Sequence, residues 1–224
     1  MILVCLILLL FSFLFYASYS MRLGVYMCAF CRKQTDEKIV ALTFDDGPDA
    51  TQTPKVLDVL KASNTPATFF CIGSQVGGNE HIIRRMAAEG HTLGNHSYVH
   101  SSTFPLLSTR AMTADMVLCQ QTLKAIWPGE VTWFRPPFGV TNPTVARVVK
   151  HLGYLPIGWN IRTFDTTSSS HDKILKRIDK QLRPGSVILL HDRVPGSERL
   201  LAEILNLLCR RGYRVVSLKT MLDS

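Results

Sequence analysis

What the chain has little of narrows the field first. Its six cysteines, Cys5, Cys28, Cys31, Cys71, Cys119 and Cys209, have no framework spacing, and the Cys-x-x-Cys at 28–31 has no second pair. A zinc ribbon needs two such pairs, and a thioredoxin site sets its pair behind a strand of a redox fold, so neither chemistry is supported. Cys71 and Cys119 fall on apolar faces and read as core residues. Acidic residues are outnumbered, 17 against 25 basic, for a net charge of +8. Such a balance could suit a polyanion or an anionic membrane. The basic residues are scattered, however, as in "KILKRIDK" (173–180) and "RRGYR" (210–214), which read as solvated helix faces. No nucleic-acid partner is expected. Low-complexity tracts and internal repeats are also lacking, and 224 residues at 46% hydrophobic can bury a sizeable core in one domain. A monomer is expected.

Charge is missing from residues 1–19, "MILVCLILLLFSFLFYASY". Nineteen residues at 1.5 Å rise would cross roughly 30 Å of hydrocarbon, which predicts a transmembrane helix. No basic region precedes the run, which argues against an ordinary cleaved signal peptide, although Ser18 and Ser20 leave cleavage open. The division expected is a transmembrane helix or signal anchor at 1–20, a linker at 21–37 and a catalytic domain at 38–224. Arg22, Arg32, Lys33 and Lys38 follow the run, but large domains translocate regardless of such charges. The expected location is membrane-anchored, with the domain on the extracytoplasmic side.

From residue 38, β-rich runs alternate with helical patterns. Strands are predicted at 39–44, 67–72, 91–94, 131–134, 154–159, 186–190 and 213–218, and helices at 53–63, 80–89, 110–126, 142–152, 172–182 and 198–211. This alternation implies a parallel α/β architecture, an open sheet or a barrel, whose chemistry gathers where strands end. The first strand ends in "FDDGP", placing Asp45 beside Asp46. Adjacent carboxylates disfavour each other's ionisation, so their pairing needs a reason. The third strand leads into "HSYVH", the fourth into "RPPFG", the fifth into "NIRTFD" and the sixth into "HD" at 191–192. A lone histidine is most often structural or superficial, and His81, His151 and His171 are read so. Recurrence at neighbouring strand ends is a different matter.

His96 and His100, four apart in a helical turn, would share one face and could bind one cation. A carboxylate from Asp45 or Asp46 would complete a three-ligand set with an open position for water, the pattern of a catalytic site for zinc or a similar transition metal. The cation would also answer the charge conflict, neutralising one aspartate and leaving the other as an ionised base.

These segments resemble the polysaccharide deacetylases, the NodB-homology or carbohydrate esterase family 4 group. "TFDDGP" is similar to the family's first motif, "HSYVH" to its second, "RPPFG" to its third and "LLH" (189–191) to its fifth, over about residues 38–220. The resemblance implies a distorted (β/α)7 barrel that removes acetyl groups from N- or O-acetylated sugars, with Zn2+ or Co2+ as cofactor. It assigns Asp45 as general base and Asp46, His96 and His100 as metal ligands. Arg135 would orient the base, His191 would be the general acid, and Leu189 would line the pocket for the acetyl methyl. Pro137 and Phe138 of the third motif would meet substrate. The fourth motif departs from the pattern: the family commonly has D-x-x-D-W, where this chain reads "RTFDT" (162–166). Asp165 survives to support His191, but the first aspartate is Arg162 and the tryptophan is Thr166. Trp159, which ends a strand, reads as a core or rim residue. The expected activity is N-deacetylation of a peptidoglycan- or chitin-like N-acetylglucosamine polymer. An O-deacetylase of xylan type, or an inactive sugar-binding membrane module, are the alternatives.

Overall fold

A computed structural model describes residues 2–167 and 170–223. Eight parallel strands form its centre: β1 (Ile39–Asp45), β2 (Thr68–Cys71), β3 (Thr92–Asn95), β4 (Trp133–Phe134), β5 (Leu155–Pro156), β6 (Ile161–Arg162), β7 (Ser186–His191) and β8 (Arg214–Val215). Their spatial order is β5-β4-β3-β2-β1-β7-β6, with β8 paired to the start of β1. Every residue of β1 is buried, as expected of a parallel strand covered on both faces.

Pleating sorts that strand into two environments. Val40, Leu42 and Phe44 pack outward beneath α2 (Thr53–Ala62) and α7 (Ser197–Arg210). Ile39 and Ala41 face the concave side with Phe70, Ile157 and Val187. Thr43 and Asp45 continue the concave row by period two. On β7 the same alternation puts Leu189 and His191 with Val187, and pairing matches Thr43 to Leu189 and Asp45 to His191. Two strands thus deliver their functional ends to one edge.

The remaining helices are α1 (Ile2–Ser18), α3 (Glu80–Ala88), α4 (Thr109–Lys124), α5 (Pro143–His151), α6 (His171–Gln181) and α8 (Leu218–Asp223). Three of them, α4, α5 and α6, begin on side-chain caps that sequence chemistry suggests. The Asn142 side chain accepts from the N–H groups of Thr144 and Val145 ahead of Pro143, Ser108 accepts from Ala111, and Ser170 from Lys173.

One expectation of the fold needs correction. The expected transmembrane helix is not found among the described residues. α1 has 17 residues, about 25 Å of rise against roughly 30 Å of hydrocarbon. Among the described residues no helix is long and apolar enough to cross a membrane. The chain turns at Tyr19 instead of extending the helix. Its last turn is tied to the domain: the Thr141 N–H donates to the Ser18 carbonyl at 2.8 Å, the Tyr26 hydroxyl donates to the Leu14 carbonyl at 3.2 Å, and Ala17 is buried. With the span goes the membrane-anchored location that rested on it.

The sheet itself is a half-barrel of parallel strands, which fits the distorted (β/α)7 barrel that the resemblance implies. β5 and β6 end the strand order and are not paired with each other among the described residues. β6 is the additional strand; its two residues carry no apolar run that sequence alone would reveal. Residues ahead of β1 bridge the gap: Phe30 pairs with Ile157 and Arg32 with Ser186. Cys31 sits in that strip, half-buried with its Sγ against Gly158, while Cys28 is exposed, and neither is in a disulfide.

Candidate active site

Asp45 and Asp46 are adjacent in sequence yet face different partners. Asp46 adopts a left-handed backbone (φ 74°), which swings its carboxylate away from that of Asp45. Asp45 Oδ1 accepts from Arg135 Nη1 at 2.6 Å. Arg135 is fully buried and fully used: Nη1 also reaches Thr43 Oγ1 at 2.9 Å, Nε donates to the Ile157 carbonyl at 3.1 Å and Nη2 to the Gly158 carbonyl at 2.9 Å. Its guanidinium stacks on Phe70, 4.1 Å from the ring centre. Burial pulls the Arg135 pKa below its ordinary value and the Asp45 carboxylate opposes that shift. A guanidinium keeps its charge regardless.

Asp46 divides its oxygens. Oδ1 lies 3.4 Å from His96 Nε2 and 3.3 Å from His100 Nε2, while Oδ2 accepts from Arg193 Nε at 2.9 Å. Burial would raise the Asp46 pKa, but the hydrogen bond and charge of His96, with His100 and His191, hold it well below the carboxylate range. Each member of the acidic pair therefore has its own cationic neighbour.

The two histidines reach the site by a turn, not by the helical turn expected. Ser97 and His100 have φ of 67° and 55°, and the Ser97 hydroxyl accepts the His100 N–H at 2.9 Å. Asp115 on α4 fixes this loop from below by accepting the N–H groups of Tyr98 and Val99. Asn95, at the end of β3, accepts the Ser97 N–H. The imidazole centres end 4.7 Å apart. His96 Nδ1 lies 2.7 Å from the Arg135 carbonyl, which fixes that nitrogen as the N–H donor and turns the Nε2 lone pair inward. Burial, then the charge of His96, depresses the His100 pKa to about 4. Neutral imidazole is the ligating form. Ligand atoms of Asp46, His96 and His100 all lie within 4.8 Å of one another. This set fits a divalent transition metal by donor type, spacing and second-layer support.

Across from this cluster stands His191. Its Nδ1 lies 2.8 Å from Asp165 Oδ1, and its backbone N–H donates to Asp165 Oδ2 at 2.7 Å. Nε2 is thereby left toward the cavity. Burial opposes charge on His191, but Asp165, helped by Asp45 and Asp46, outweighs it and raises the pKa. Between these groups lies a cavity of about 230 Å³ lined also by Leu189, Phe138, Trp159, Arg162, Thr166 and Arg193. Pro137 is buried and does not line it.

Three contributors escape sequence reasoning. Arg193, two residues past the fifth motif, bonds Asp46. Asp192 is completely buried, accepts from Thr53 Oγ1 at 2.6 Å, and has no hydrogen-bond partner for Oδ1 among the described residues. Burial lifts its pKa to about 7. A Cβ at Gly47 would come within 2.2 Å of its carboxylate, so the aspartate loop rests directly on it. Asp115 is the third. Only Asp192 carried a signal, by its position next to His191.

A parallel α/β half-barrel whose strand ends collect a braced carboxylate, an Asp-His-His cluster and a His–Asp pair defines a hydrolase site. The chain belongs to the polysaccharide deacetylase family, whose model matches residues 32–157. It is 35% identical to a peptidoglycan-N-acetylglucosamine deacetylase of Bacillus cereus, covering 84% of this chain and 89% of that one. It is 33% identical to the peptidoglycan-N-acetylmuramic acid deacetylase PdaA of Bacillus subtilis, over 87% and 75% of the two chains. Among solved structures, the Bc1960 peptidoglycan N-acetylglucosamine deacetylase, bound to a naphthalenyl N-oxidanyl-benzamide, superposes with a TM-score of 0.80 at 32% identity, covering 86% and 91%. This protein is accordingly a polysaccharide deacetylase.

Proposed function

We propose that the protein hydrolyses N-acetyl groups of an N-acetylglucosamine-type polysaccharide, peptidoglycan or a chitin-like oligosaccharide, and releases acetate. One observation carries this reading: an Arg135-braced Asp45 and an Asp165-braced His191 face each other across one cavity, with Asp46, His96 and His100 at its floor. A divalent transition metal, zinc or cobalt, bound by Asp46, His96 and His100 supplies Lewis-acid polarisation of the acetyl carbonyl and acidifies water.

The chain's own groups do the rest. Asp45 takes the proton from the attacking water, and its bond to Arg135 holds the carboxylate in place. Leu189 supplies an apolar wall for the acetyl methyl. The backbone N–H of Phe138, the first after two prolines, is offered to the developing oxyanion. The departing amine needs a proton, and His191 donates it from Nε2 while Asp165 holds the imidazolium at Nδ1. This positioned donor favours amide over ester substrates. Acetate release should be measured on peptidoglycan, chitin oligosaccharides and acetylated xylan. Release from the first two above xylan supports the reading, and release from xylan alone overturns it.

A further inference from the structure

The cavity rim bears positive charge that the hydrolytic steps do not use. Arg162, at the end of β6, is exposed and lines the cavity. Among the described residues no carboxylate lies within ion-pairing distance of it. Its guanidinium is nonetheless oriented, 4.8 Å above the Phe164 ring and 5.9 Å from Trp159.

Phe164 is an unusual support. It is 41% exposed and holds φ at +60°, a conformation bulky residues rarely adopt and one that marks functional loops. Arg177 sits 4.9 Å from the same ring and donates to the Thr163 carbonyl, anchoring the turn. The loop spends backbone strain to present an aromatic platform with a guanidinium on it. Arg193 faces the same cavity, and only its Nε is engaged by Asp46. The cavity's two carboxylates do not reach Arg162, because Asp45 is committed to Arg135 and Asp46 is shared between His96, His100 and the Arg193 Nε.

We propose that Arg162, seated on Phe164 and assisted by Arg193, is an anion-binding subsite that selects glycans whose sugars bear a carboxylate. A planar guanidinium with parallel N–H donors matches a carboxylate in two-point contact. The proposal rests on the deacetylase reading and narrows its substrate to an acidic N-acetylated sugar chain.

The test compares oligosaccharides of equal length: neutral N-acetylglucosamine oligomers, oligomers with a carboxyl-bearing ether on alternate sugars, the same oligomers amidated at that carboxyl, and a phosphorylated set. Binding to the full chain is followed by calorimetry, with acetate release in parallel. The wild type should prefer the carboxylate set through KM, by about tenfold from one charge-assisted pair. Arg162→Ala should erase that ratio, Arg162→Glu should invert it, and Arg162→Lys should restore part of it. Equal ratios in wild type and Arg162→Ala, or a preference for the amidated or phosphorylated sets, overturn the subsite. Selective binding of the carboxylate set without acetate release from any set leaves the subsite standing and overturns the deacetylase reading. Release without selectivity does the reverse.

Discussion

Asp45 and His191 occupy matched positions on neighbouring parallel strands, each the last residue of its strand. The groups proposed to take and to give a proton are thus spaced by sheet geometry, which side-chain motion cannot readily alter. Each then receives its own brace, Arg135 for the one and Asp165 for the other.

Metal removal gives the first prediction. Chelation should abolish acetate release, and added zinc or cobalt should restore it. Ligand substitution His100→Ala should lower metal content measured directly in purified protein. Full activity in protein stripped of metal contradicts the assignment of Asp46, His96 and His100.

The paired aspartates should separate on substitution. Asp45→Asn should keep metal content while losing roughly 10²–10⁴-fold in turnover, the usual scale of a positioned base. Asp46→Asn should lower metal content itself. Equal metal loss in both variants would mean that the two roles are interchanged or shared.

The His191–Asp165 pair predicts a pH effect with a definite sign. Asp165 raises the His191 pKa, so the imidazolium persists to higher pH than it would alone. Asp165→Asn should move the alkaline limb of the pH–rate profile to lower pH on amide substrates, with metal content unchanged. Aryl acetates, whose leaving groups need little protonation, should be hydrolysed almost normally. An unchanged profile removes Asp165 from this role.

Asp192 predicts pH-dependent stability. Its folded pKa of about 7 stands above the model-compound 3.8. Folding therefore disfavours its ionised form, and stability should decline as pH rises from about 4 through 7. In metal-free protein the Asp192→Asn variant should flatten that decline, by no more than about 4 kcal/mol across the window. Denaturant titrations at several pH values measure it, and parallel curves for the two proteins refute it.

Much of the fold was legible because β1, β2 and β7 are long apolar runs and α5, α6 and α7 repeat apolar residues with helical period. The candidate site residues were legible because strand ends concentrate them, and Asp45, Asp46, His96, His100, Leu189 and His191 do line one cavity. The short β6 was not, since two residues in a sheet have no period to read. Nor was the length of α1 fixed by its composition: hydropathy says nothing about the turn at Tyr19 or the docking of Ser18. The route of His96 and His100 through left-handed residues was hidden as well, because two histidines four apart are compatible with a helix or a tight loop. Arg193 lay outside every motif, and only tertiary structure brings it to Asp46.

The strip of chain ahead of β1 has a bearing on how the protein can be handled. Phe30 accepts from the Gly158 N–H, Gly158 accepts from Arg135 Nη2, and Arg135 donates to Asp45. A protease cut or a shortened version beginning at residue 38 would remove more than a tail. It would unlatch one side of the half-barrel three bonds from Asp45, leaving a domain with every motif intact and a slackened grip on its arginine.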